Sequence, residues 1–324
     1  MTNRRNATIV RPSCSLYLAL NGKHQIMNYI PNQEGRIIIV TGANTGLGYE
    51  TTKELAQNGA KVIMACRNML KAKKAKDQIL EELPDARLEI IELDLSKLDS
   101  VRQFAEAYQT KFDRLDVLIN NAGVMMPPYT ETEDGFELQF MTNYLGHFLL
   151  TGLLLPLILK TPNARVVSLS SIAHKNGNIN FDDLQSKKAY SASKAYGQSK
   201  LACLMYAYEL QRRLDWNGHK DTLSTAAHPG IATTELARHM PSFLYSILRY
   251  TVAPFITHSP AKGAQPTIMA AVGKAEGGDY FGPTGFQEFK GKPGKVDSTP
   301  LSKDEDIAKR LWELSEQMVG MEYL

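Results

Sequence analysis

The sequence predicts an α/β protein built on one doubly wound parallel sheet of about seven strands flanked by helices, and three observations predict it. Arg36-Ile-Ile-Ile-Val40 is a continuous, largely β-branched run, as expected of a strand buried on both faces. A three-glycine loop, Thr41-Gly-Ala-Asn-Thr-Gly-Leu-Gly48, follows it directly. From there strand-like and helix-like segments alternate, which requires parallel strands joined by right-handed crossovers.

After the glycine loop a helix is expected from Gly48 to Asn58, then a strand Lys61-Val-Ile-Met-Ala65 and a helix Asn68–Leu83. Strand Leu88–Leu93, helix Leu98–Lys111 and strand Leu115–Ile119 come next. A long helix around Glu133–Lys160 precedes strand Ala164–Leu169, and a helix Ser191–Leu214 precedes strand Thr222–Ala227. Residues 1–34 carry no sustained period and read as an irregular extension, with Met27 an alternative start. Residues 35–324 read as a single Rossmann-type domain, with a helical, Met/Phe/Leu/Tyr-rich segment near 231–260 and a closing helix near Lys303–Val319. The Gly/Pro-rich stretch Gly277–Pro300 is left without an element.

Bulk properties exclude several classes. The 324 residues are 43% hydrophobic and 22% charged, with a formal charge of +3, too small and dispersed for nucleic acid. The cluster Lys71–Lys76 reads as the solvated face of a helix. Three scattered cysteines give neither a disulfide framework nor a zinc site, and a reducing, cytoplasmic setting is expected. Leu16–Leu20 is too short for a signal-peptide core, and the apolar run Tyr144–Leu159 falls short of the roughly 20 residues of a membrane span. Asp113, Asp116, Asp182 and Asp183 read as solvated carboxylates rather than a metal site.

The glycine loop points to a dinucleotide. Gly42 permits the tight turn, Gly46 lets the backbone approach a pyrophosphate, and Gly48 allows close helix–strand packing. Amides at the helix start then face the phosphates. The second strand ends in Ala65-Cys66-Arg67, with no carboxylate to repel a ribose 2′-phosphate. Arg67 suits a phosphate bidentately and Asn44 offers a neutral donor nearby, so NADP is the expected cofactor.

Further motifs occur in order: Asp94-Leu95, Asn120-Asn-Ala-Gly123, Asn143, Ser170-Ser171, a Tyr-x-x-x-Lys and Pro229-Gly230. Over about residues 35–235 the chain therefore resembles the short-chain dehydrogenase/reductase family, of the subtype with a TGxxxGxG loop. Ala65–Asn68, Thr142–Phe148 and His228–Gly230 look most like its retinol-dehydrogenase-like branch, which also takes in relatives of protochlorophyllide reductase.

The resemblance implies a cofactor site formed by Gly42, Asn44, Thr45, Gly46, Leu47, Gly48, Arg67, Asp94, Leu95, Asn121, Ala122 and Gly123. Pro229, Gly230 and Thr233 would belong to a loop touching the nicotinamide amide. It implies Tyr as general acid/base, a Lys that holds the nicotinamide ribose, Ser171 on the substrate oxygen and Asn143 anchoring a relay water. Chemistry agrees: an alkoxide left by hydride transfer needs a positioned acid, and a lysine's charge close by favours loss of a phenol's proton. Two pairs match, Tyr190/Lys194 and Tyr196/Lys200. The second is followed directly by the apolar helix Leu201–Leu210 and lies closer to Pro229, which favours Tyr196 and Lys200.

His147 reads as a packed or interface residue, His228 as a brace for the loop after it, and His174 as a loop residue at the pocket or the surface. Pro241–Tyr250 carries apolar residues at helical spacing, as a lid or an interface helix would. The expected activity is NADP(H)-dependent hydride transfer to or from a carbonyl or alcohol on a largely apolar small molecule, by a monomer, homodimer or homotetramer. A C=C reductase and a non-catalytic NADP(H)-sensing protein are the alternatives.

Overall fold

The computed structural model describes residues 30–231 and 258–324. Eight strands form one sheet: β1 (Ile37–Thr41), β2 (Lys61–Cys66), β3 (Arg87–Glu92), β4 (Val117–Asn120), β5 (Arg165–Leu169), β6 (Leu223–Ala227), β7 (Tyr280–Pro283) and β8 (Pro293–Lys295). Their order is β3-β2-β1-β4-β5-β6-β7-β8, parallel except for the antiparallel β7–β8 pair. The order reverses between β1 and β4, the switch point at which such sheets bind ligands beyond their C-terminal strand ends.

Helices cover both faces. On one side α1 (Gly46–Gln57), α2 (Met69–Glu82) and α6 (Pro260–Val272) pack on Val40, Val62, Met64 and Val117. On the other lie α3 (Leu98–Lys111), α4 (Leu138–Lys160), α5 (Ala192–Trp216) and α7 (Glu305–Val319), around Phe104, Tyr144, Phe148, Tyr206 and Trp312. With helices on both faces, the central strands have no polar alternation, which is why β1 reads as an unbroken apolar run.

Four readings need correction. The long helix begins at Leu138, because residues 131–137 turn back through the Glu131–Glu137 bridge and Glu137 caps the helix start by accepting from the Phe140 amide. Running unbroken to Lys160, it spans 23 residues and is long and apolar enough to cross a membrane by length and composition. In the fold 72% of its most apolar window is buried, so it is apolar all round because protein surrounds it. Asp116 is not solvated: its carboxylate is buried, accepts from the Ile37 amide, and takes Arg114 at 3.0 and 2.6 Å. The stretch left without an element supplies β7 and β8, short strands at the sheet edge, β7 paired with β6 and β8 with β7. The lid segment lies almost wholly outside the described residues, as does the N-terminal extension through residue 29.

Candidate active site

The C-terminal ends of β1 to β4 open onto a cleft of about 270 Å³. Gly42, Asn44, Thr45, Gly46, Leu47 and Gly48 form one wall, Arg67, Asp94 and Leu95 another, and Asn121, Ala122 and Gly123 the side towards β4. Gly42 and Gly46 take φ of +66° and +55°, where side chains are strained. α1 starts inside the cleft, and Thr45 at its N-cap provides no side-chain bond to the first-turn amides. Free amides at a helix start suit a phosphate.

At the far end the Arg67 guanidinium is 61% exposed, with Nη1 4.0 Å from Asp94 Oδ1, so it is free to turn towards a ligand. Asp94 is itself held, its Oδ1 accepting from the Ser96 amide and hydroxyl at 3.0 and 2.6 Å. The sequence reading missed Lys71, which lines the same wall. Its signal was the four-residue spacing from Arg67 across the start of α2, hidden by the neighbouring lysines. Two cations and no carboxylate at the tip of β2 fit a phosphorylated adenosine ribose.

Behind the cleft a buried network joins β1, β4 and α4. His147 Nδ1 lies 2.9 Å from the Asn143 carbonyl, which can only accept, so this nitrogen carries the proton. Nε2 is then the acceptor for the Thr41 hydroxyl at 2.9 Å, and Thr41 Oγ1 in turn accepts from the Asn121 and Ala122 amides. His147 is thus the packed residue expected, and burial pushes its pKa down to about 4. A folded-state pKa below the unfolded value of about 6.5 means stability is full above pH 6.5 and is lost as pH falls towards 4. Denaturant unfolding is expected to show about 3 kcal/mol less stability at pH 4 from this group. A His147→Gln variant should lose that part of the slope; an unchanged slope refutes the assignment.

Lys200 reaches from α5 to the end of β5. Its ammonium donates to the Leu169 carbonyl at 3.0 Å and lies 5.9 Å from the centre of the Tyr196 ring. Gly123, on the cleft's β4 side, stands close by: a Cβ there would lie 3.5 Å from Nζ and 3.0 Å from Asn143 Oδ1. Tyr196 and Lys200 are both buried, one turn apart inside α5. The other pair is arranged differently. Tyr190 precedes the helix, donates to the Pro127 carbonyl at 2.7 Å and accepts from Gln139, while Lys194 is exposed.

Asn143 lies in a π-helical turn, Met141–Leu145, within α4. Its Nδ2 donates to the Val124 carbonyl and Ser199 Oγ, and its Oδ1 accepts from the Val124 amide. Its side chain therefore ties Val124 to α5. Of the two serines, Ser170 is buried and donates to the Lys200 carbonyl. Ser171 is half-buried and caps a 3-10 turn, Ile172–Asn176, by accepting from the Ala173 amide. His174 is buried, not at the loop surface, and bonds the Ser171 carbonyl at 2.7 Å.

Pro229 and Gly230 follow β6 and do not line the cleft; they flank it beyond Ser171. His228 braces them, Nδ1 accepting from the Gly230 amide at 3.2 Å. Thr233 lies outside the described residues. Among the described residues no cluster of three metal-ligating side chains occurs.

Comparison with known proteins fits this geometry. Residues 36–242 match the short chain dehydrogenase family model. Human retinol dehydrogenase 13 is 43% identical over 89% of this chain and 86% of its own length. Mouse retinol dehydrogenase 12 is 41% identical over 89% and 88%. An uncharacterised protein from Mycobacterium paratuberculosis superposes with a TM-score of 0.76 at 40% identity, covering 91% of this chain and 97% of that one. A Shigella flexneri short chain dehydrogenase complexed with NADP superposes with a TM-score of 0.59 at 25% identity, covering 77% and 97%. The chain is an oxidoreductase of the short-chain dehydrogenase family, in the branch of the retinol dehydrogenases.

Proposed function

We propose that this oxidoreductase is NADP(H)-dependent and interconverts a carbonyl and its alcohol on an apolar small molecule. The observation that carries the reading is the buried Tyr196–Lys200 pair, whose ammonium stands beside Gly123 on the β4 side of the cleft behind the glycine loop. The glycine loop and the first turn of α1 would hold the pyrophosphate, and Arg67 with Lys71 the 2′-phosphate. Bound there, the cofactor supplies or accepts the hydride.

In the reducing direction Tyr196 gives its hydroxyl proton to the substrate oxygen as charge develops on it. The Lys200 ammonium, anchored on Leu169, stabilises the phenolate left behind. Ser171, half-buried at the end of β5, donates to the same oxygen and holds it towards Tyr196. Apolar substrate chemistry is supported by the retinol dehydrogenases among the relatives and by the composition of Pro241–Tyr250, which lies outside the described residues.

The test is turnover of a panel of apolar aldehydes, ketones and enals with NADPH and NADH, with products identified. Reduction at C=O with preference for NADPH is the expected result. Hydrogen added across C=C, or binding without turnover, would replace this reading with one of the two alternatives. Arg67→Ala is expected to raise the Kd for NADPH about ten- to a hundredfold, as loss of a charge-assisted pair does, and to leave NADH within about twofold. Equal losses for both cofactors would remove Arg67 from phosphate recognition.

A further inference from the structure

Glu288 lies in the loop between β7 and β8 and is tied to two loops far from it in sequence. One carboxylate oxygen is 2.8 Å from Lys175 Nζ, in the 3-10 turn that Ser171 caps. The other is 3.1 Å from His228 Nε2, immediately before Pro229-Gly230. His228 is fully buried, and among the described residues neither its Nε2 nor Glu288 Oε2 has a well-aligned hydrogen-bond partner, so the 3.1 Å approach is a close polar contact between two otherwise unmatched buried atoms. Because Nδ1 accepts from the Gly230 amide, the neutral ring carries its proton on Nε2, facing the carboxylate.

Backbone contacts make the same connection. The Ile231 amide donates to the Phe289 carbonyl at 2.8 Å. A Cβ on Gly230, whose φ is +69°, would fall 2.4 Å from that carbonyl oxygen and 3.0 Å from the Glu288 carbonyl oxygen. Gln287 and Glu288 themselves hold φ of +52° and +58°. Non-glycine residues stay there only where surrounding contacts over-determine them. Burial holds His228 below its ordinary pKa, and the His228 N–H beside it, with the Lys175 ammonium, draws the Glu288 carboxyl down to about 2, so an anion faces a neutral imidazole at neutral pH.

We propose that Glu288 is a positioning residue for the nicotinamide half of the cofactor, locking the Pro229-Gly230 turn and the Ser171 loop together through His228 and Lys175. The inference rests on the NADP(H) reading above. A dinucleotide with its adenosine half in the cleft at β1–β3 crosses the switch point towards the ends of β4, β5 and β6, where these two loops stand. Glu288 touches neither cleft nor reacting atoms; it fixes the loops that do.

The experiment compares binding of NADPH with that of 2′,5′-ADP, which contains only the adenosine half. Glu288→Ala is expected to weaken NADPH about tenfold or more while 2′,5′-ADP stays within about twofold. Glu288→Gln should fall between, because its one amide oxygen can accept from only one of Lys175 and His228. NADPH affinity unchanged, or both ligands weakened alike, would overturn the proposal. A wild-type protein that binds neither ligand overturns the NADP(H) reading beneath it. If the alanine variant does not fold, the glutamine variant, of equal volume, decides by the same comparison.

Discussion

Tyr196→Phe is expected to lower kcat by about 10²- to 10⁴-fold, the range for loss of a positioned general acid, while NADPH affinity stays within about twofold. The phenyl ring fills the same buried space in α5, so stability should hardly change. Only the proton is lost. The Tyr196 hydroxyl takes no hydrogen-bond partner among the described residues, whereas the Tyr190 hydroxyl is spent on Pro127 and Gln139. Tyr190→Phe should therefore keep turnover within a few fold and lower stability by about 1 kcal/mol, the ordinary cost of such bonds. Steady-state kinetics on both variants with one substrate decide between the pairs. Turnover retained by Tyr196→Phe and abolished by Tyr190→Phe would reverse the assignment. Lys200 is less clean as a first target, because truncating it also leaves the Leu169 carbonyl without its donor.

The two Tyr-x-x-x-Lys motifs show where sequence legibility ended. As strings they are equivalent, because a motif does not carry the phase of the helix on which it lies. α5 starts at Ala192, so Tyr190 is outside it and cannot share a face with Lys194, while Tyr196 and Lys200 sit one turn apart within it. The central sheet was readable because strands covered on both faces become unbroken apolar runs, and the glycine loop because its conformation admits few residues. β7 and β8 were not: Tyr280-Phe-Gly-Pro283 and Pro293-Gly-Lys295 have no period, and they become strands only because β7 pairs with β6 and β8 with β7. Glu288 was invisible for the same reason, since both its partners are more than fifty residues away in the chain. Asp116 was misread because Asp113 and Arg114 just before it suggest a solvated turn, whereas the start of β1, 79 residues away in the chain, brings the Ile37 amide and Arg36 onto its carboxylate.

Gly48→Ala is expected to damage binding and stability together. A Cβ at this position would lie 2.2 Å from the Gly42 carbonyl oxygen, 2.8 Å from its carbonyl carbon and 2.6 Å from Asn121 Nδ2. Two of these three atoms are backbone, and the third is fixed by its bond to the Thr41 carbonyl at 2.7 Å. No flexible side chain is available to move aside, so α1 must shift away from β1. Overpacking of this kind costs about 1–3 kcal/mol, or more where backbone must give. Gly46, Leu47 and Gly48 line the cleft, so the same shift displaces the amides set to meet the phosphates. NADPH and 2′,5′-ADP should therefore weaken in parallel, by about a hundredfold, unlike the selective loss expected at Glu288. Gly59, at φ +97° in the turn after α1, is the useful contrast. Gly59→Ala is strained as well, but its neighbours are Asn32 and Glu34, at the opposite end of the sheet from the cleft. It should lower stability and leave both affinities intact. Thermal unfolding and titration of the two variants separate a methyl that disturbs the fold from one that closes the dinucleotide site; full affinity in Gly48→Ala would mean that the loop is not where the phosphates bind.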